Sequence, residues 1–399
     1  GGINYQFFNY TLSTDNSQVK THWADLYKCV TRSNIILDQI DGISFADDTE
    51  KQKLKAEMYF LRALTYYHLV MQFGDVPLVT KELKTKEEIQ EHTARDPKSK
   101  VYDLIIDDLT KVTESPLPDN QTGDGIGRAS KAAAYGLLGK VYLSKAADED
   151  FQAEREANLK SAKSNLEAVW KMRPFGTLNE ISYADVFDKD AQEKCTEIIF
   201  RVMYEGGNSS LASNYAYIFQ PTSQTGLTSQ KSGTGNNIPT EDMMNAYEPG
   251  DMRKDISCGT SSGVNYVKKY TDLDDVNGYG DNDWIILRYA DIALMLAEVK
   301  MHLNETDAVN YLNMVRERAG LPDYTGSNLR DAILQERRVE LAFEGQSWYD
   351  LLRLYSHQEL LSVMQKKNPN FSEKDFLLPI PYDEHKLDPE RMYQNKGYN

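Results

Sequence analysis

Asp291 and Glu298 stand seven residues apart, a spacing that puts two carboxylates on one face of a helix, about 10 Å apart along its axis. Such a pair can serve glycoside hydrolysis, one group protonating the leaving oxygen while the other acts across the sugar ring. Apolar residues flank both, however, and Arg288 lies three residues before Asp291, so the pair is expected to be an interhelical polar stripe. Further on, Glu336, Arg337, Arg338, Glu340 and Glu344 share a helical run with Leu329, Ile333 and Leu341, with no nucleophile or metal-ligand set beside them. They are expected to form a structural ion network tying helices together. Gly345 ends that run, and in the short helix that follows Asp350 and Arg353 offer an i,i+3 ion pair.

A second cluster with ligand chemistry is Asp272, Asp274, Asp275, Asn277, Asp281 and Asp283, since calcium takes several oxygens from a flexible loop. Setting Gly278 at the invariant glycine of a helix-loop-helix calcium site puts Leu273 first and Trp284 last, where ligands belong. A solvated acidic loop is therefore the expectation. His22, His68, His92, His302, His357 and His385 have no zinc-ligand spacing, Cys29, Cys195 and Cys258 form no CxxC, and no GxSxG occurs. Gly123-Asp-Gly-Ile-Gly127 stands before a helix, where backbone N–H groups attract phosphate. Its spacing matches neither nucleotide-binding motif and Asp124 would repel phosphate, so a turn is expected. No catalytic residue, metal or cofactor is assigned.

Binding chemistry is better represented. Tyr204, Tyr215, Tyr217, Phe219, Tyr247, Tyr266 and Tyr279 are interleaved with Asn208, Asn214, Gln220, Asn236 and Asn237. Aromatic faces with amide neighbours suit sugar rings, whose C–H faces stack while their hydroxyls need donors and acceptors.

Composition narrows the partners. The 61 Asp and Glu against 45 Lys and Arg give a formal charge of -16, which repels nucleic acid and anionic membrane surfaces, and no basic patch offsets it. The 25 tyrosines lean towards carbohydrate or protein recognition. No apolar run is long enough to span a membrane, and Gly1-Gly2-Ile-Asn-Tyr5 has neither a charged nor an apolar leader region, so a signal or anchor is expected to have been removed ahead of Gly1.

The elements that must position these residues are mostly helical. Apolar periodicity predicts helices over 22–40, 50–73, 99–113, 128–145 and 157–172, the second stopped by Gly74-Asp-Val-Pro77. Small residues in Ala134-Tyr-Gly-Leu-Leu-Gly-Lys and again in Ala293-Leu-Met-Leu-Ala admit a close partner helix, the logic of tetratricopeptide-like stacked pairs. Residues 174–283 change to Gly, Ser, Asn and Tyr, with short strands expected at 197–204 and 266–270; helices return at Trp284. One domain is expected, comprising N-terminal helical pairs (1–173), a loop-rich insert holding the ligand site (174–283), and C-terminal pairs with an extended tail (284–399).

Several segments in order carry a resemblance: Trp23-Ala-Asp-Leu-Tyr27, Asn34-Ile-Ile-Leu-Asp38, Ala56-Glu-Met-Tyr-Phe-Leu-Arg-Ala-Leu64, Phe73-Gly-Asp-Val-Pro77 and Gly127-Arg-Ala-Ser-Lys-Ala-Ala133. Leu287-Arg-Tyr-Ala-Asp291, Glu336-Arg-Arg-Val-Glu-Leu341, Glu344-Gly345, Asp350-Leu-Leu-Arg353, Leu378-Pro-Ile-Pro381 and Gln394-Asn-Lys-Gly-Tyr398 continue it. Over nearly the whole chain this set resembles the SusD/RagB family, surface glycan-binding lipoproteins of Bacteroidetes nutrient uptake. The resemblance implies a mostly α fold, an α/α superhelix of tetratricopeptide-like pairs with a loop-rich subdomain. It also implies a lipid tether to the outer membrane, a SusC-like TonB-dependent transporter as partner, and capture of oligosaccharides or polysaccharides without cleavage. Family members carry a signal peptide, a lipid-modified cysteine and a first helical segment ahead of the Trp23 motif; none of these precedes Gly1 here. Part of the family's starch site lies in that segment. The transferable share falls near 208–237, with Tyr215, Tyr217 and Phe219 as stacking candidates and Gln220, Asn236 and Asn237 as polar ones. Capture of peptides is the alternative within the family; a glycan-cleaving enzyme and a helical-repeat scaffold are the alternatives outside it.

Overall fold

The computed structural model describes residues 2–222, 226–228 and 232–398. Its α-helices in chain order are α1 (Ile3–Asn9), α2 (Ser17–Gln39), α3 (Asp48–Phe73), α4 (Lys86–Glu91), α5 (Lys98–Thr113), α6 (Lys131–Ala147), α7 (Arg155–Lys171) and α8 (Tyr215–Ile218). They continue as α9 (Glu241–Met244), α10 (Lys254–Ser257), α11 (Tyr289–His302), α12 (Ala308–Arg318), α13 (Leu329–Glu340), α14 (Ser347–Leu354), α15 (His357–Lys367) and α16 (Tyr382–His385). Four short strands complete the described residues: β1 (Ile198–Val202), β2 (Cys258–Ser261), β3 (Val264–Val267) and β4 (Trp284–Arg288). The fold is mostly α, as expected.

Local chemistry sets the ends of the long helices. The Asn16 side chain accepts from the N–H groups of Gln18 and Val19 at the start of α2, and Ser130 accepts from Ala133 N–H at the start of α6. A reciprocal Ser356/Glu359 capping box opens α15. At the far end of α3, Gly74 takes φ 73°, a left-handed conformation that glycine adopts without Cβ strain. The five long helices of the first half match the ranges that periodicity predicts to within three residues at each end, except that α2 begins five residues early, at Ser17.

Contacts group the chain into two compact units, one running Gly1–Pro118 and resuming at Tyr355–Asn399, the other Asp119–Leu354. In the first, α2 packs on α3 and α3 on α5. A buried bidentate pair ties the latter two, with Arg62 Nε donating to Asp108 at 2.7 Å and Arg62 Nη2 at 2.8 Å, while Arg62 Nη1 donates to Asn34 on α2 at 2.7 Å. Arg95 gathers the chain's tail, donating to the carbonyls of Phe73, Asp75 and Tyr393 and to the Asn395 side chain.

In the second unit α6 pairs with α7 and α11 with α12, and α11 also packs on α7 and α13. Glycine makes the first pair possible, because a Cβ on Gly139 would stand 2.5 Å from the Leu166 side chain; Gly136 likewise admits β4, since a Cβ there would stand 2.4 Å from Leu287. Helix α11 is buried from Tyr289 to Lys300, which explains why its sequence is apolar nearly all round.

Two sequence expectations need correction. Trp284 does not begin a helix; Trp284-Ile-Ile-Leu-Arg288 is β4, antiparallel to β1 with Val202 opposite Trp284 and Ile198 opposite Arg288. Its aromatic and β-branched start suits a strand, and Arg288 is still extended (φ -145°, ψ 160°) where α11 begins. The strand expected at 266–270 lies earlier, as β3. It pairs with β2 through Ser262-Gly263, both at positive φ (48° and 79°), a two-residue hairpin turn.

Candidate functional site

The one-turn helix α8 and the segment 233–236 form the frame of the candidate site. After α8 the chain passes Pro221 and returns so that Gly233 N–H meets the Pro221 carbonyl, Thr234 N–H that of Tyr217, Gly235 N–H that of Gln220, and Asn236 N–H that of Ile218. The carbonyls left open at the end of α8 and just beyond are satisfied by backbone arriving fifteen or so residues later. Gly233 is required for this approach, because a Cβ there would stand 2.2 Å from the Gln220 carbonyl oxygen. Asn237 follows at φ 53°, a left-handed conformation that asparagine tolerates.

This frame sorts the six candidates. Tyr217 is half-buried and Asn236 and Asn237 are exposed, with the backbone at 234 and 236 hydrogen-bonded to that of Tyr217 and Ile218. Tyr215 and Phe219 face inward. Their rings stack at 5.9 Å and 12°, Tyr215 lies 5.1 Å from Trp284, and Phe219 lies 5.6 Å from Tyr270. The Tyr215 hydroxyl stands 3.1 Å from that of Tyr204, and burial raises its pKa. Gln220 is fully buried, with its amide donating to the Val267 carbonyl at 3.4 Å. Its neighbours in sequence, Ser223 to Thr225 and Ser229 to Lys231, lie outside the described residues.

The acidic loop is not the solvated one expected. Asp272, Asp275 and Asp283 are buried, while Asp274 and Asp281 are exposed. Asp272 accepts from the N–H groups of Asp274 and Asp281, and Asp275 from the Thr228 hydroxyl at 2.6 Å. Asp283 accepts from Tyr204 N–H at 3.0 Å and lies 3.3 Å from Arg201. Burial pushes the Asp283 carboxyl up to about 6, against the opposing pull of Tyr204 N–H and Arg201. Asp272 and Asp283 thus serve backbone N–H groups, of the loop itself and of the segment just after β1, which is why they are drawn inside. Among the described residues no group of three His, Cys, Asp or Glu is arranged to hold a metal.

Asp291 and Glu298 lie inside helix packing, each about 98% or more buried. Asp291 is bound by Lys140 and Arg337, both at 2.7 Å, and Glu298 by Arg353 at 2.9 and 3.0 Å. The partner suggested by spacing, Arg288, is occupied elsewhere: it donates to Glu197, Glu340 and Glu344 at 2.6–2.8 Å. Neither carboxylate can meet a sugar. The ion network expected of the Glu336–Glu344 run is present and largely buried, with Glu340 at its centre, accepting from Arg253, Arg288 and Arg318. Burial alone would raise the Glu340 pKa; Arg318, Arg288 and Arg253 outweigh it and hold the group far below the usual carboxylate range. Glu336 goes the other way, because burial outweighs Arg253. Arg338 is the exception in the run, pairing at the surface with Asp242. Asp350 and Arg353 form the i,i+3 pair at 2.8 Å. Arg253, Arg318, Lys140, Lys269 and Glu197 were not legible as members of this network, since they are scattered along the sequence without a shared spacing.

Comparison with known proteins places this fold. The SusD family model matches residues 257–398, and a second, described as starch-binding associating with outer membrane, matches residues 3–143. Among curated proteins the chain is 29% identical over 435 residues to SusD-like protein P2 of Formosa agariphila, covering 98% of this chain and 83% of that one. Among solved structures it is similar to a laminarin binding SusD-like protein, with TM-score 0.82, 26% identity and coverage of 98% and 88%. A SusD superfamily protein from Parabacteroides distasonis shares the fold at TM-score 0.85 and 24% identity, covering 99% of this chain and 89% of that one. The chain belongs to the SusD family. Among the described residues no helix is long and apolar enough to cross a membrane.

Proposed function

We infer that this protein is a non-catalytic glycan-binding protein at the outer membrane, taking oligosaccharides through Tyr217, Asn236 and Asn237. The observation that carries the reading is the return of 233–236 onto α8, which sets the backbone leading into the exposed Asn236 and Asn237 beside that of the half-buried Tyr217. Tyr217 offers a C–H stacking face, and each asparagine offers two donors and an acceptor oxygen to sugar hydroxyls. Tyr215, Phe219 and Gln220 act beneath them as support, holding α8 against Tyr270, Trp284 and Val267. The laminarin-binding relative supports a glycan as ligand. The outer-membrane description of the matched N-terminal family model supports the location, with a lipid anchor as the tether and delivery to a SusC-like TonB-dependent transporter as the role.

Affinity electrophoresis and calorimetry against laminarin and a panel of other polysaccharides test this. The wild type is expected to bind one of them, and Tyr217→Ala to weaken that binding about tenfold, the loss of one stacking face. Binding of peptides with no glycan in the panel bound would refute it.

A further inference from the structure

The 3-10 turn at Leu178–Glu180, the residues that follow it, the 252–256 segment and the end of α12 line a cavity of about 380 Å3 away from the candidate site on α8. That volume lies towards the lower end of the ~300–1,000 Å3 typical of small-ligand clefts. We propose that this cavity is a second, independent ligand site that takes a single neutral sugar residue.

The charge of the lining selects against anions. Arg253 and Arg318 close the floor, yet both are already matched: Arg253 by Asp251, Glu336 and Glu340, and Arg318 by Glu197 and Glu340. An anion finds no uncompensated positive charge there and meets the exposed Glu317 carboxylate at the rim. What remains unspent is neutral-ligand chemistry. Among the described residues, no hydrogen bond or ion pair engages the exposed side chains of Asn179 and Glu317. The Ser182 oxygen accepts from Ala184 N–H, which leaves its hydroxyl proton to donate. Ile181, Ile256 and the exposed Met252 provide apolar wall. Hydroxyl-matching groups at a rim above apolar wall suit a ring that is polar at its edge and C–H on its faces. Tyr183 contributes ring surface only, because its hydroxyl is committed to the Glu340 carbonyl at 2.8 Å.

Saturation-transfer NMR and calorimetry with D-glucose, D-galactose, D-mannose and N-acetylglucosamine, with D-glucuronate as the anionic probe, test the proposal on the full chain. At least one neutral sugar is expected to bind. An Asn179→Ala/Glu317→Ala double variant should weaken that binding about tenfold or more, the loss of two polar partners, and Ser182→Trp should abolish it by filling the mouth. All three positions are exposed, so thermal stability should stay at the wild-type value. Tyr217→Ala should leave monosaccharide binding intact, which separates this site from the one on α8. No binding by any neutral sugar, binding that survives Ser182→Trp, or tighter binding of glucuronate than of glucose would each overturn it.

Discussion

Replacing Glu340 by glutamine keeps its shape and removes one negative charge from the most densely paired point of the structure. Glu340 Oε1 accepts from Arg288 at 2.6 Å and from Arg318, and Oε2 accepts from Arg253 at 2.9 Å. All four side chains are buried. A glutamine retains one acceptor oxygen and turns an amide N–H towards a guanidinium N–H, so at least one donor pair becomes opposed. The surrounding carboxylates, Glu197, Glu336 and Glu344, are already engaged by the same arginines and by Arg316 and Lys269, so none is free to compensate. Breaking a buried pair from one side costs ~3–5 kcal/mol, because the opposite charge stays buried without its counter-ion. For a unit of this length each kcal/mol shifts the melting temperature by ~2–4 °C, so Glu340→Gln is expected to melt roughly 10 °C early. Calorimetric melts of the variant and wild type measure this. Arg338→Gln serves as control, since its pair with Asp242 is solvent-exposed and worth less than ~1 kcal/mol. Equal, small shifts for both variants would refute the reasoning, showing that the buried network carries no more than a surface pair.

Three other perturbations follow from the structure. Glu340, Glu344, Glu298 and Asp291 all have pKa values lowered in the fold, so they stabilise it fully above the ordinary carboxylate range and lose that contribution as pH falls below about 4. Asp283, raised to about 6, has the opposite sign, and urea titrations should show Asp283→Asn lacking a component of stability that the wild type gains between pH 6 and 4. Gly139→Ala improves helix propensity by up to ~1 kcal/mol yet should destabilise by ~1–3 kcal/mol in denaturant unfolding, because the added methyl meets Leu166; a net stabilisation would show that α7 yields freely. Phe219→Ala should cost ~3–5 kcal/mol of stability, whereas Tyr217→Ala should cost far less and act on ligand affinity; the reverse order in thermal melts would exchange their roles.

The helices were legible because their apolar spacing and stop signals are local: Gly74 ends α3 as its type dictates, whereas the Ser130 cap that opens α6 was passed over in favour of a start at residue 128. Trp284-Ile-Ile-Leu was misread because a short apolar run serves a strand or a buried helix equally well, and only the pairing with β1 decides between them. The acidic loop was misread because a carboxylate's burial depends on which backbone N–H groups reach it, here that of Tyr204 from a distant segment and that of Asp281 from across the loop itself. The six candidate site residues were chosen by type, but type could not say which face of α8 turns inward. Tyr215, Tyr217 and Phe219 alternate along one turn, and packing against Tyr270 and Trp284 claims two of the three.

By itself, then, the sequence determined the helical pairs, the small residues that let α7 approach α6, the ionic rather than catalytic character of the Glu336–Glu344 run, and the family those features mark. These rest on periodicity and residue type, which act over one or two turns. Only the tertiary structure decided that Glu340 is shared among three arginines from three other segments, that Tyr217, Asn236 and Asn237 stay open where Tyr215, Phe219 and Gln220 turn inward, and that a cavity lies at the end of α12. Each of those depends on groups brought together from distant parts of the chain, and no local spacing encodes such a meeting.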